Sequence, residues 1–180
     1  VNDKVPVIDV INPVAEKVSY EIHNNVGVIA TKATVNSGLY KKSIRKHNKF
    51  IKVDELATPL LVPAIEEGFR NHPITHSIIY NYLSNNKLKN IETLILGCTH
   101  YPLLMSSIVK NLPDGVRVVP QGQYVANSLK DYLNRHPQME QMITKTGSCR
   151  YLTTESEDKF KESAQIFLHE QVEVTHVDLE

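Results

Sequence analysis

The sequence has few cysteines and no excess of charge of either sign. Its 180 residues contain 20 Lys+Arg and 20 Asp+Glu, so the formal net charge is +0 and the pI is about 7.2. A balanced chain lacks the positive field that attracts nucleic acid or an anionic membrane surface, so we expect neither as a partner. The two cysteines, Cys98 and Cys149, exclude a disulfide-rich scaffold and favour a reducing, cytoplasmic setting.

Long hydrophobic runs and common ligand-binding motifs are also missing. No run approaches the ~18 apolar residues of a membrane span, so we predict a soluble protein. No CxxC or HExxH pattern occurs, and Pro73 separates His72 from His76, so a metal site is not expected. The glycine-rich nucleotide motifs GxGxxG and GxxxxGK(S/T) are absent, which leaves residues 120–123 as a weak candidate for binding phosphate.

What the sequence does contain is typical of a globular chain of about one domain, with 41% hydrophobic and 22% charged residues. Apolar, β-rich runs alternate with segments of helical period. This alternation predicts an α/β fold in three layers, with a mostly parallel sheet flanked by helices. The predicted strands are residues 5–10, 26–30, 93–96, 116–119, 149–153 and 172–177. The predicted helices are residues 12–22, 37–47, 60–69, 74–83, 102–112 and 125–133, with a last helix after a capping box at 154–157.

The apolar pattern weakens over residues 134–148, which indicates a crossover between lobes. We therefore predict one lobe over residues 1–133, the crossover over 134–148, and a strand–helix–strand tail over 149–180. The chain also opens directly on an apolar run without an initiator Met, as a fragment of a longer protein would.

The clearest candidate for chemistry follows the run at residues 93–96. In open parallel sheets, ligands bind at the carboxyl ends of strands. This run ends in a glycine and is followed by Cys98, Thr99 and His100, shortly before a helix predicted at Pro102. A helix N-terminus favours a thiolate, so we expect a lowered pKa for Cys98, with His100 placed to carry a proton. The alternative is an inert, buried thiol.

A second candidate is the loop predicted over residues 31–37. It places the hydroxyls of Thr31 and Thr34 between a strand and a helix start, where they can bind a carboxylate together with backbone N–H groups. The same threonines also fit a helix cap or a turn, which is the commoner role of such residues.

Three segments resemble a known family. LILGCTHYPLL, residues 94–104, resembles the second cysteine signature of bacterial glutamate racemases. VGVIATKATVNSGLY, residues 26–40, resembles the Thr-rich substrate loop of that family, and TPLLVPAIEEG, residues 58–68, resembles its Pro-rich segment. Aspartate racemases of the same superfamily usually carry Glu where this chain has His100, so His100 favours glutamate.

The resemblance implies cofactor-independent proton transfer at the α-carbon of glutamate, which interconverts the L- and D-forms to supply D-glutamate for peptidoglycan. Glutamate is then the expected small-molecule partner, and no metal or other cofactor is implied. The sequence leaves open whether the chain forms a homodimer. The site residues implied are Cys98, His100 and Glu66 for catalysis, with Glu66 orienting His100, and Thr99, His100, Thr31 and Thr34 for substrate binding.

One departure from the family bears on activity. The family's mechanism uses two cysteines on opposite faces of the α-carbon, and its first cysteine lies in an Asn-Thr-containing motif that this chain lacks. Cys149 has no such neighbours, and we interpret it as structural. We therefore expect a C-terminal fragment that does not racemise on its own. The alternatives are another racemase of the superfamily, such as an aspartate racemase, a non-catalytic amino-acid-binding module, or a scaffold with a buried Cys98.

Overall fold

The structure is a computed structural model that describes residues 7–21 and 24–179. It divides into two compact units, the first ending at Pro137 and the second beginning at Gln138. The elements up to Arg135 are α1 (Asn12–Glu21), β1 (Asn25–Ala30), α2 (Lys32–Ser37), α3 (Leu39–His47), β2 (Lys52–Ala57), α4 (Leu61–Glu66), α5 (Pro73–Leu83), β3 (Thr93–Leu96), α6 (Met105–Lys110), β4 (Arg117–Pro120) and α7 (Gln121–Arg135). Short 3-10 helices lie at Phe69–Asn71, Asn86–Leu88 and Tyr101–Leu104.

The first unit is built on a four-stranded sheet in the order β2-β1-β3-β4. All three strand pairs are parallel, and Val26 of β1 lies beside Val53 of β2 on one side and Thr93 of β3 on the other. Parallel strands need crossover connections, which the helices between them supply. The predicted α/β fold with a parallel sheet flanked by helices is confirmed.

Apolar side chains cover both faces of this sheet, because successive residues of a strand point to opposite sides. Val28 of β1 and Ile95 of β3 face α1 and α3, whereas Ile29 and Leu96 face α4, α5 and α6. All four residues of β3 are buried. A strand with both faces covered reads as a continuous apolar run, which explains why β3 was predictable from sequence.

The predicted first strand is wrong where the structure describes it. Residues 5 and 6 lie outside the described residues, and residues 7–10 form no strand, with Val7 66% and Val10 47% exposed. Instead, Oδ1 of Asp9 accepts the backbone N–H groups of Ile11 and Asn12 at 2.7 and 2.8 Å. Ile11 directly precedes α1 and Asn12 is its first residue, so Asp9 satisfies backbone N–H groups where the helix begins.

Two predicted helix starts also differ. Thr31 is the N-cap of α2, so the loop predicted over residues 31–36 is largely helical, and Gly38 separates α2 from α3 with a left-handed φ of 61°. Glycine adopts this conformation without the steric cost of a Cβ. The helix predicted at Pro102 begins as a 3-10 helix, and the α-helix starts only at Met105.

The second unit contains β5 (Tyr151–Thr153), α9 (Glu157–Leu168) and β6 (Val174–His176), preceded by α8 (Pro137–Gln141), which begins at the last residue of the first unit. β5 and β6 pair in parallel. Ser156, not Thr154, caps α9 by accepting the backbone N–H of Lys159, so the predicted capping box is wrong. Cys149 is exposed and precedes β5, so the prediction that it opens a strand is also wrong.

Among the described residues, no helix combines the length and the apolar character needed to cross a bilayer.

Candidate active site

The topology of the sheet creates a crevice between β1 and β3. From β1 the chain moves outward to β2, whereas from β3 it moves outward in the other direction to β4. The chain therefore turns in opposite directions after β1 and after β3. Open α/β sheets bind ligands at the carboxyl ends of two such neighbouring strands. Thr31 directly follows β1, and Cys98 follows β3 after a single glycine.

That glycine, Gly97, allows the two strand ends to approach closely. Its backbone N–H donates to the carbonyl oxygen of Ile29 at 2.8 Å. A Cβ at this position would lie 2.9 Å from the Cβ of Ala30 and 3.1 Å from the ring of Tyr40. Only a residue without a side chain fits, and the backbone is thereby held against β1 one residue before Cys98.

The structure brings together three of the predicted site residues, Cys98, His100 and Glu66. Nδ1 of His100 lies 3.8 Å from Sγ of Cys98, and Nε2 of the same ring lies 3.1 Å from Oε1 of Glu66. Glu66 ends α4, whereas Cys98 and His100 lie in the segment after β3. The imidazole thus bridges a thiol and a carboxylate from two different elements.

The carboxylate determines which tautomer of His100 suits this bridge. A carboxylate only accepts hydrogen bonds, so Nε2 of His100 carries the proton that it shares with Glu66. In the neutral ring Nδ1 is then the acceptor, and it faces the thiol. The arrangement is suited to moving a proton between Cys98 and His100.

The pKa of Cys98 is raised, contrary to the expectation from sequence. Burial is the largest cause because it disfavours the thiolate, and the negative charge of Glu66 adds to it. The backbone N–H groups of His100 and Thr99 act in the opposite direction without outweighing burial. The four-residue 3-10 helix that follows, in place of a regular α-helix, offers less of the N-terminal field on which the expectation relied.

Cys98 opens into a cavity of about 400 Å³ within the first unit. This volume lies in the usual range for a small-molecule site. The cavity runs between the segment after β3 and the first turns of α7, and its wall is mostly apolar. Its lining residues are Val10, Cys98, Thr99, Pro102, Gln121, Gly122, Val125 and Ala126.

Thr31 and Thr34 lie at the end of the neighbouring strand and are not joined to Cys98. Their hydroxyl oxygens are 3.0 Å apart, and Oγ1 of Thr31 accepts the backbone N–H of Thr34 at 3.3 Å. Among the described residues, neither hydroxyl bonds to the segment that carries Cys98. The structure therefore shows a helix cap here, and the binding of a carboxylate stays a prediction.

Gln121 lies within residues 120–123, which the sequence indicated only as a weak candidate for binding phosphate, and it also lines the cavity beside Cys98. It begins α7, is buried, and donates from Nε2 to the hydroxyl of Tyr40, a fully buried residue of α3. Burial raises the pKa of Tyr40 to about 12, so the phenol stays neutral. Residues 120–123 form the end of β4 and the first turn of α7, and phosphate binding there stays a prediction. The sequence feature that could have indicated a site residue is position, because Gln121 directly follows β4, the neighbour of β3.

Together, the parallel sheet, the cavity that Cys98 lines, and the imidazole and carboxylate joined to this thiol form an arrangement suited to acid–base chemistry with a cysteine. Residues 3–129 match the model of the Asp/Glu/hydantoin racemase family. The chain is 38% identical over 178 residues to the glutamate racemase of Thermoanaerobacter sp.. The aligned residues cover 98% of this chain and 67% of that protein. The chain belongs to the Asp/Glu/hydantoin racemase family.

Solved structures agree with this assignment. The glutamate racemase of Bacillus anthracis superimposes with a TM-score of 0.86 at 30% identity, covering 99% of this chain and 66% of that one. The glutamate racemase of Francisella tularensis, solved in complex with D-glutamate, also has a TM-score of 0.86, at 34% identity, covering 98% of this chain and 65% of that one. The chain thus spans about two thirds of the length of the relatives it matches.

Proposed function

We propose that this chain performs proton transfer at the α-carbon of glutamate without a cofactor, as part of the interconversion of L- and D-glutamate that supplies peptidoglycan synthesis. The observation that carries the proposal is the bridge from Cys98 through His100 to Glu66 beside the cavity. The complex of the Francisella tularensis relative with D-glutamate supports glutamate as the ligand.

Cys98 is the group that exchanges a proton with the α-carbon in this proposal. An α-proton beside a carboxylate is a very weak acid, so the site must hold the base close and oppose the negative charge that develops. The raised pKa keeps Cys98 protonated at rest, which suits it to donate a proton to the carbanion. The backbone N–H groups of Thr99 and His100 then stabilise the thiolate that remains.

His100 and Glu66 remove the proton of the Cys98 thiol when the thiolate is needed and return it afterwards. Nδ1 of His100 accepts the thiol proton when Cys98 must act as a base, and the Glu66 carboxylate stabilises the imidazolium that forms. Glu66 acts through His100, so it is a positioning residue.

The remaining predicted residues are proposed to bind substrate. Thr99 lines the cavity beside Cys98, so its hydroxyl and backbone can contact a bound amino acid. Thr31 directly follows β1, on the other side of the crevice, and Thr34 lies in the first turn of α2, where hydroxyls and N–H groups can hold a carboxylate.

Inversion of the α-carbon requires a second acid–base group on the opposite face. Cys149 is exposed and belongs to the second unit, and we do not assign it this role. With Cys98 as its one acid–base thiol, the 180-residue chain is expected to exchange the α-proton of L-glutamate without inverting it.

The test is to incubate the chain with L-glutamate in heavy water and follow loss of the α-proton by NMR, with chiral analysis of the product. We expect slow exchange, retention of the L-configuration, and loss of exchange in Cys98→Ser. Cys149→Ser is the matched control and should exchange at the parent rate. Exchange that survives in Cys98→Ser, or conversion of L- to D-glutamate that depends on Cys98, would contradict the proposal.

The same assay separates the alternatives. Exchange of aspartate in preference to glutamate would indicate a different racemase of the superfamily. Binding of glutamate by calorimetry without exchange would indicate an amino-acid-binding module. Neither alternative is favoured by the relatives, which are glutamate racemases.

A further inference from the structure

A buried chain of hydrogen bonds joins the carboxyl ends of β1 and β2 to the segment that follows β3. The carbonyl oxygen of Ala30 accepts the backbone N–H of Thr58 at 2.9 Å and its hydroxyl at 3.3 Å. Oγ1 of Thr58 lies 2.7 Å from the hydroxyl oxygen of Tyr101. Thr58 and Tyr101 are both fully buried, so water does not compete with these bonds.

Each of the two hydroxyls also has a carbonyl acceptor. The Thr58 hydroxyl lies 3.3 Å from the carbonyl oxygen of Ala30, and either hydroxyl can be the donor in the short contact between Thr58 and Tyr101. The Tyr101 hydroxyl is also 3.3 Å from the carbonyl oxygen of Thr58. Burial raises the pKa of Tyr101 to about 12, so the phenol keeps its proton.

Thr58 and Tyr101 lie next to the two segments that hold His100, which are the segment after β3 and the helix α4. Tyr101 is the next residue after His100, and its backbone N–H donates to the carbonyl oxygen of Cys98 at 3.2 Å. Thr58 accepts the N–H of Leu61, the first residue of α4, at 3.2 Å, and α4 ends at Glu66. The buried contact between Thr58 and Tyr101 therefore connects the two segments that carry Cys98 and Glu66, the residues that the imidazole ring contacts.

We propose that Thr58 and Tyr101 form a positioning pair that keeps His100 between Cys98 and Glu66. Their hydroxyls are outside the cavity lining and do not touch the reacting atoms. Their role is to fix the separation of α4 from the segment after β3. The inference rests on the proposed function only in taking Cys98 as the reacting group, and its test needs no racemase activity.

The experiment measures the rate of alkylation of Cys98 by iodoacetamide against pH, using the full chain with Cys149→Ser so that one thiol reacts. Glu66→Gln removes a negative charge that raises the pKa of Cys98, so it should move the alkylation midpoint to lower pH. At a fixed pH below the midpoint, the rate should rise by roughly two- to tenfold. The measurement is then repeated in Tyr101→Phe and in Thr58→Val.

We expect the effect of Glu66→Gln to shrink or vanish in Tyr101→Phe and Thr58→Val, and to persist in Thr58→Ser, which keeps the hydroxyl. A purely structural role would lower the melting temperature and leave the effect of Glu66→Gln unchanged, and that result would overturn the inference. If Tyr101→Phe does not fold, Thr58→Val with Thr58→Ser gives the same comparison. Absence of any Glu66→Gln effect in the parent would instead contradict the proposed role of Glu66.

Discussion

The environment of Cys98 combines an apolar cavity wall with a small number of polar contacts. Burial disfavours the thiolate, while two backbone N–H groups favour it, and burial has the larger effect. A thiol with a raised pKa is a poor nucleophile at neutral pH and a suitable proton donor to a strongly basic carbanion. This balance fits acid–base catalysis better than covalent catalysis.

Gly97 offers a prediction at the scale of a single residue. Gly97→Ala places a methyl group within 2.9 to 3.1 Å of Ala30, the Ile29 carbonyl and the Tyr40 ring. Because two of these neighbours are parts of the sheet itself, we expect a loss of about 1–3 kcal/mol in the free energy of unfolding. Urea denaturation followed by circular dichroism measures it.

Gly122→Ala is the matched control for this substitution. No atom lies within 4 Å of a Cβ built on Gly122, which is the second residue of α7. Alanine is favoured over glycine in helices, so the variant should be unchanged or more stable by up to about 1 kcal/mol. Equal destabilisation by both substitutions would show that Gly97 is not a site of close packing.

Sequence reasoning found some of these residues and missed others for physical reasons. Cys98 and His100 are neighbours in the chain, directly after a recognisable apolar strand, so pattern and resemblance sufficed. The bond between Thr58 and Tyr101 joins residues 43 positions apart, and that between Tyr40 and Gln121 joins residues 81 apart. Such pairs depend on how the strands are ordered in the sheet, which local patterns do not specify.

Between elements, Arg117 connects the start of β4 to two helices. Its Nη1 donates to Oε2 of Glu21, the last residue of α1, at 2.7 Å, and its Nη2 donates to the hydroxyl of Tyr124 in α7 at 2.6 Å. The hydrogen bond from Arg117 is the largest cause of a lowered pKa for Glu21, with burial opposing it and Lys17 adding a smaller contribution. The pair is partly exposed, so its contribution to stability is modest.

This contact predicts a pH-dependent stability. A carboxyl group with a lowered folded-state pKa stabilises the fold above its unfolded-state pKa, and this contribution is lost as the pH falls through the folded-state pKa. We expect Glu21→Gln to lower the free energy of unfolding at pH 7 by roughly 0.2–1 kcal/mol, and the difference from the parent to disappear in strong acid. Urea melts at several pH values test this.

Glu67→Gln provides the control for Glu21→Gln. Glu67 is exposed in the same unit, and within the described ranges its side chain makes no hydrogen bond or ion pair. Its substitution should leave stability almost unchanged at every pH. A difference for Glu21→Gln that stays constant between neutral and acid pH would show that it does not arise from the charge of Glu21.

The elements themselves were predictable to different degrees. β1, β3 and β4 lie within a residue or so of the expected runs. For β1 and β3 the reason is that buried parallel strands are apolar on both faces. The hydrogen bonds that Asp9 accepts beside the start of α1, and the short helix α2, were not expected. In both cases polar side chains bond to nearby backbone N–H groups, and such local bonds compete with the strand or loop that the apolar pattern indicates.

Across the molecule, the two units differ greatly in how much apolar surface each buries. The first contains two core clusters, one on each face of its sheet. Among the described residues of the second unit, the buried hydrophobic side chains are Ala164 and Val174. Its strands β5 and β6 are three residues long and form a two-stranded sheet. A pair of strands with so small a core gains little from packing.

This difference predicts unequal protection from hydrogen exchange. Local opening requires less free energy where few apolar contacts are lost, so the amides of β5 and β6 should exchange at least about 100-fold faster than those of β1 and β3. Hydrogen exchange of the whole chain, resolved by NMR or by peptide mass spectrometry, measures both sets under one condition. Amides of α5 serve as an internal reference, since Ile79 and Leu83 pack into the core of the first unit. Protection of β5 and β6 equal to that of β3 would mean that the second unit is stabilised by more than the side chains it buries.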